Sequence, residues 1–487
     1  MQAGFAETDI TPPLGTRKIG WLKLIIGDQV CDPLFARAAV FESGGAGLAF
    51  IQLDTLCIRW TDTTAIRKRI ESQYGFPGNA IMVAATHNHA GPAIATVGDV
   101  PRDVAYVESM LSKIVAVFGA ALANKQECAI GVGRTTDFKV AHNRRMVTRS
   151  GLVRTHGRFS DEDSLFLEGP IDPEVNILAA RNTSGALLGA IVNYACHPTH
   201  RGGDTTFSAG FPGALSRNMK QRGCPVTLFL NGAQGNVHTS APENDGADVP
   251  LEEAGALLAA DAWRVIPSLK WRNDVRLACA RRTIKLPFRK LAQDQLKGTA
   301  KGAQRFIDPA IYERGMAEAV AKIKALGKQP AEVQVFFLDE YAFVSIPAEM
   351  FVQLGLKLKE QAHPTRVWVI GLANGMVGYV PHKEAFASGG YETTFFEQQA
   401  GAGGGGPVDR VWAQHYKENS KLEIRNSKEK ILTIVSLVVL YMRLRNWDLQ
   451  SHVCDGLMGG GRKWLEVAHV YRTGDEEGSA FDPVETQ

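Results

Sequence analysis

Ala80-Ile81-Met82-Val83-Ala84-Ala85-Thr86-His87-Asn88-His89-Ala90-Gly91-Pro92 carries the first decision about the fold. Its apolar front half has the length and composition of a buried strand. Gly91-Pro92 then stops it. Side chains two apart on a strand point the same way, so the spacing predicts His87 and His89 together beyond a strand end. Imidazoles grouped there can bind a metal, hold a proton or polarise a carbonyl. The plain alternative is one core and one surface histidine, and polar residues at other strand ends decide between the two.

Upstream, residues 5–10 read as a first strand ended by Thr11-Pro12-Pro13. Residues 36–41 and 48–53 read as a hairpin across Glu42-Ser43-Gly44-Gly45, with Asp54 at its exit. Residues 61–74 and 104–124 carry helical patterns. Downstream come a second hairpin (175–180 and 186–194), a helix (212–222), a buried strand (226–230) and a helix (251–266). A long strand (275–286), a helix (309–326), a hairpin within 333–347, a helix beginning at Glu349 and a buried strand (366–372) complete the rhythm. Strands and helices alternate but hairpins interrupt them. The expected fold is therefore α/β with mixed sheets flanked by helices, and not a purely parallel doubly wound sheet. No internal repeat is visible.

The chain has 487 residues, 45% hydrophobic and 22% charged, a globular balance. With 54 basic and 51 acidic residues the net charge is +3, and no basic block points to a nucleic-acid partner. Seven cysteines without a C-x-x-C pair argue against a disulfide framework or a cysteine-based zinc site. The first residues lack a basic region followed by an apolar core, which gives a cytoplasmic expectation. The apolar run 431–442 is too short to span a bilayer, so no transmembrane segment is expected. Residues 401–410 are glycine-rich. With no Lys-Ser/Thr after them they read as a linker and not a phosphate loop. The chain thus divides into a main domain over 1–400, that linker, and a tail over 411–487 that breaks the earlier rhythm.

Each later strand end offers another polar group: His197 in Asn193-Tyr194-Ala195-Cys196-His197-Pro198, Glu349 in Ile346-Pro347-Ala348-Glu349, and Tyr379 and Tyr391 in loops after the last strand. Each alone has a dull explanation. Together they follow the rule of active sites on α/β sheets, polar groups at strand exits.

The chain resembles the neutral/alkaline non-lysosomal ceramidase family, in its N-terminal catalytic domain, from residue 4 to about residue 400. The resemblance rests on Gly4-Phe5-Ala6-Glu7-Thr8-Asp9-Ile10-Thr11-Pro12-Pro13, Ala85-Thr86-His87-Asn88-His89-Ala90-Gly91-Pro92, Cys196-His197-Pro198-Thr199, Pro347-Ala348-Glu349, Gly378-Tyr379-Val380 and Gly390-Tyr391-Glu392. It implies one zinc ion per chain, held by His87, His197, Glu349 and Tyr379. It also places His89, Arg144 and Tyr391 at the catalytic centre, with zinc-bound water attacking an amide carbonyl. The substrate it implies is a small-molecule or lipid amide, such as an N-acyl sphingolipid. His238, in Gly235-Asn236-Val237-His238, stands where the family places an active-centre serine. An imidazole there is expected to enter the same cleft, narrow it and donate to the oxyanion. Nothing in the tail resembles the family's C-terminal immunoglobulin-like domain. Two alternatives stay open: a zinc-binding protein of this fold without ceramidase activity because of His238, and an amidohydrolase barrel, which also uses His-x-His but needs eight βα units.

Overall fold

The computed structural model describes residues 1–394, apart from 289–291, 298, 305 and 307–308. The glycine-rich stretch 401–410 and the tail 411–487 lie outside the described residues.

Eight strands form the main sheet: β1 (Gln2–Asp9), β2 (Phe35–Ser43), β3 (Ala46–Leu53), β4 (Ile81–Ala85), β5 (Gln126–Thr136), β6 (Glu174–Asn182), β7 (Leu187–Tyr194) and β8 (Thr227–Asn231). Their order is β8-β7-β6-β5-β1-β2-β3-β4. Within it only the edge pairs β3–β4 and β7–β8 are parallel. A second sheet holds β9 (Leu277–Pro287), β10 (Lys328–Leu338), β11 (Tyr341–Ile346) and β12 (Arg366–Gly371) in sequential order. The mixed α/β expectation holds, and the hairpins rule out the parallel barrel for these sheets.

The sequence shows no internal repeat; the topology does. β1–β4, β5–β8 and β9–β12 are three copies of one unit. In each, a first strand pairs antiparallel with a hairpin, and a helix crosses over to a fourth strand parallel to the third. The crossover helices are α1 (Trp60–Tyr74), α3 (Gly210–Gln221) and Val352–Gln361. A polar pair faces across each hairpin one residue before the third strand ends: Arg37 and Gln52, Asn176 and Asn193, Gln334 and Ser345. All six are buried; side chain meets side chain in the first two pairs, at 3.1 and 3.4 Å, and in the third the Ser345 hydroxyl accepts from the Gln334 backbone N–H at 2.8 Å. Buried polar groups persist only when paired, and here the partner is built into the register.

β1 and β5 pair through Gln2–Glu127 and Ala3–Gln126, which joins the first two units into one sheet. β5 escapes a reading from sequence because glycines and polar residues blur its alternation. The third unit's sheet packs on the first through Phe336 and Phe343, both against Phe50. Helix α2 (Val104–Ala123) is long and apolar enough to cross a membrane, yet it packs on β1 and β2 and buries Val107, Leu111, Ile114 and Phe118. Hydrophobic burial thus accounts for its composition.

Candidate metal centre

The C-terminal ends of the parallel pairs meet at one point. His197 is the third residue past β7 and Glu349 the third past β11. Glu349 does not open a helix, as the sequence suggests. Glu349–Met350 is a short strand pairing parallel with Tyr379–Val380, so Glu349 and Tyr379 lie side by side. Gly235 allows this packing, because a Cβ on it would meet the Glu349 carbonyl oxygen at 2.5 Å.

His87 and His89 do come together, but not by strand periodicity. β4 ends at Ala85, and His87 has φ +71°, a left-handed turn conformation uncommon for a residue with a side chain. The amides of His87 and Asn88 both donate to the Thr55 carbonyl at 3.1 Å, and His89 N–H donates to Pro198. Such strain persists where the surroundings over-determine it, often at functional sites. Asn231, which sequence reasoning did not single out, ties the two histidine loops together. Its amide donates to the carbonyls of Thr86 and Cys196, both at 2.9 Å.

Each imidazole is oriented by a backbone carbonyl at Nδ1: Leu56 for His87 (2.9 Å), Gly20 for His89 (3.0 Å), and Gln234 for His197 (2.7 Å). A carbonyl only accepts, so Nδ1 carries the proton in all three neutral rings. The three Nε2 atoms are left as lone pairs, and they lie within 4.8 Å of one another. His87 and His89 Nε2 are 3.1 Å apart. Glu349 Oε2 lies 3.1 Å from both His87 and His197 Nε2. Tyr379 Oη is 3.4 Å from His197 Nε2. Lone pairs facing lone pairs repel unless a cation lies between them, so the donor set fits a metal ion. Imidazole and carboxylate donors suit zinc among others. His87 and His197 are buried, while His89 is partly exposed and stands on the solvent side.

The electrostatics agree with this reading. Burial alone would raise the Glu349 pKa, and what holds it well below the usual carboxylate range is positive charge at the His87 and His197 side, the place a bound cation would take between neutral rings. Burial and Arg144 push His197 down to about 4, and burial with the neighbouring imidazoles holds His89 well below its usual value. Burial opposes the Arg144 charge, yet Tyr379 and Glu392 outweigh it. Arg144 donates to Tyr379 Oη at 3.0 Å and to Glu392 at 2.8 Å. Tyr391 stands over Tyr379 with ring centroids 6.0 Å apart. The sequence reading assigns no role to Glu392 or Arg145, although both stand beside residues it names and Glu392 lies within a motif it quotes.

His238 reaches this centre, its ring 6.3 Å from that of His197. Both of its nitrogens are engaged: Nδ1 accepts from Ser240 N–H at 2.9 Å, and Nε2 contacts the Thr199 hydroxyl. It therefore walls the cleft, and the donation to an oxyanion expected from the sequence has no spare proton behind it. His156, unmarked in the sequence, packs edge-on against it at 4.8 Å. His156 itself is exposed to solvent. It stands on the cleft wall.

The class these observations define is an α/β protein of three repeated units with a buried imidazole cluster able to hold a metal ion. Its fold is that of the neutral ceramidases. The crystal structure of neutral ceramidase from Pseudomonas aeruginosa superposes with a TM-score of 0.63 at 19% identity, covering 93% of this chain and 76% of that one. A ceramidase complexed with C2 gives a TM-score of 0.63 at 18% identity, covering 93% and 77%. No protein-family model matches the chain, and no curated protein sequence matches it significantly.

Proposed function

We propose that the protein is a zinc-dependent hydrolase of an amide bond, with N-acyl amides, those of lipids included, as substrate class. The observation that carries this reading is the set of three oriented Nε2 lone pairs beside an ionised carboxylate, at strand exits of a ceramidase fold. His87, His197, Glu349 and Tyr379 would hold the ion, one per chain. Zinc there supplies a bound water of lowered pKa and polarises a carbonyl.

The chain's own residues do the rest. The backbone carbonyls of Leu56 and Gln234 fix which nitrogen of His87 and His197 faces the centre. His89, on the solvent side, is placed to hold a proton beside the scissile bond, and Tyr391 to give one to the leaving nitrogen. Arg144 keeps its charge in a buried setting and faces charge that develops near Tyr379. His238 and His156 narrow the space, which favours a smaller head group than that of a sphingolipid.

The engaged His238 favours one other reading, a zinc-binding protein of this fold that does not hydrolyse ceramide. Metal analysis of the purified protein, with an N-acyl amide screen in the presence and absence of a chelator, tests both. Stoichiometric zinc and chelator-sensitive turnover are expected. Zinc without turnover of any N-acyl amide selects the second reading, and absence of zinc overturns both.

A further inference from the structure

We propose that Glu392 is a positioning residue: through Arg144 it fixes the Tyr379 hydroxyl against the imidazole cluster, and so sets how tightly the centre holds its metal. The inference rests on the metal-site reading above and extends it to a residue outside the ligand set.

Glu392 is fully buried. Its carboxylate takes three donors: Arg144 Nε at 2.8 Å on one oxygen, and Arg145 Nη1 at 2.8 Å with Thr155 Oγ1 at 2.9 Å on the other. Arg145 is in turn clamped by Glu168, Ser388 and the Gly389 carbonyl. Gly390 must lack a side chain, since a Cβ on it would lie 2.4 Å from Arg145 Nη1. The loop is thus shaped around this pair of guanidiniums.

The consequence for the centre follows from geometry. Arg144 presents a planar fork, and Glu392 holds its Nε edge while Nη2 donates to the Gly235 carbonyl at 2.9 Å and to Tyr379 Oη at 3.0 Å. A guanidinium gripped on two sides has one orientation, and the residual donor direction falls on the phenol oxygen. That donor occupies one side of Oη and turns its remaining lone-pair density toward His197 Nε2, 3.4 Å away. Groups that orient ligands from outside the coordination shell typically change metal affinity about 10–100-fold. Gln in place of Glu392 would set an amide N–H₂ against one of the two guanidiniums, a donor facing a donor.

The test is a double-mutant cycle on zinc affinity, read by chelator competition, for wild type, Glu392→Gln, Tyr379→Phe and the double variant. Glu392→Gln is expected to weaken zinc about 10–100-fold in the wild-type background, and to have no further effect once Tyr379→Phe is present. Equal losses in both backgrounds show a merely structural role and overturn the proposal, as does an unchanged affinity. Should Glu392→Gln fail to fold, Glu392→Asp keeps the buried charge balance while shortening the reach to Arg144. Its loss should be smaller and again confined to chains that carry Tyr379; a loss independent of Tyr379 overturns the proposal. A wild-type chain that binds no zinc overturns the metal-site reading itself, whereas zinc-tight wild type with an indifferent Glu392 overturns this inference alone.

Discussion

The third residue past the third strand is Leu56 in the first unit, His197 in the second and Glu349 in the third. All three are buried at the same topological place. In the second and third units the side chain turns into the centre. In the first it is the backbone that serves, the Leu56 carbonyl accepting from His87 Nδ1. The polar capacity at the first unit's exit goes instead into an ion pair. Asp54 accepts from Arg37 Nη1 at 2.9 Å and from Phe35 N–H at 2.9 Å, with Gln52 donating to its other oxygen at 2.8 Å. One architecture therefore serves two ends: a strand exit satisfied within its own hairpin is scaffold, and one whose lone pairs are left facing its neighbours is a site.

The strongest way to break this contrast is to remove a side chain from an exit that serves the centre. His197→Ala and Glu349→Ala should weaken zinc by more than about 100-fold, beyond the range of outer groups, as measured by chelator competition. Leu56→Ala should leave zinc affinity unchanged, because its contribution is a carbonyl, while costing about 2–5 kcal/mol of stability as a core truncation. Equal effects on zinc at Leu56 and His197 would dissolve the distinction.

Arg37→Met probes the scaffold exit. It leaves the Asp54 carboxylate buried without its cation, which should cost about 3–5 kcal/mol in denaturant unfolding, with zinc affinity unaltered in the folded fraction. A change in zinc affinity would mean that the two kinds of exit are coupled.

The third test uses pH. Burial opposes ionisation of Glu392, but Arg144 and Arg145 hold its pKa at about 2, against an ordinary value of 4.5. A carboxyl depressed on folding contributes stability that is complete above its unfolded pKa and is lost as pH falls through the folded one. Wild-type melting temperature should therefore fall between about pH 4.5 and pH 2. The Glu392→Gln curve, lower throughout, should be flatter in that window. Parallel curves would remove Glu392 from the balance.

The smallest effect is expected at the cleft wall. His238→Ser should keep zinc and change N-acyl amide turnover by more than about threefold, below the 10²–10³ typical of losing an oxyanion donor, because the imidazole limits space and its nitrogens are already engaged. A change under threefold would make His238 a bystander. A loss as large as that of a removed donor would show that the ring, despite those partners, serves the reaction directly.

The sequence by itself determined most of the succession of strands and helices, though not the strand Gln126–Thr136 or the strand at Glu349, since hydrophobic periodicity and turn residues are local properties. It also marked His87, His89, His197, Glu349 and Tyr379, because groups at strand exits share one destination on an α/β sheet. Residues whose partners lie far along the chain carried no local signal. Asn231 joins loops 145 and 35 residues away, and Glu392 meets Arg144 from 248 residues away. The threefold repeat was hidden for a related reason. Its units keep a register and a polar pair but not the residues: Arg37 with Gln52, Asn176 with Asn193, Gln334 with Ser345. Tertiary structure alone decided that His87 turns in through a left-handed residue and that Glu349 pairs with Tyr379. Both depend on hydrogen bonds between segments distant in the chain, His87 and Asn88 with Thr55 and Glu349 with Gly378, and those exist only once the chain has folded.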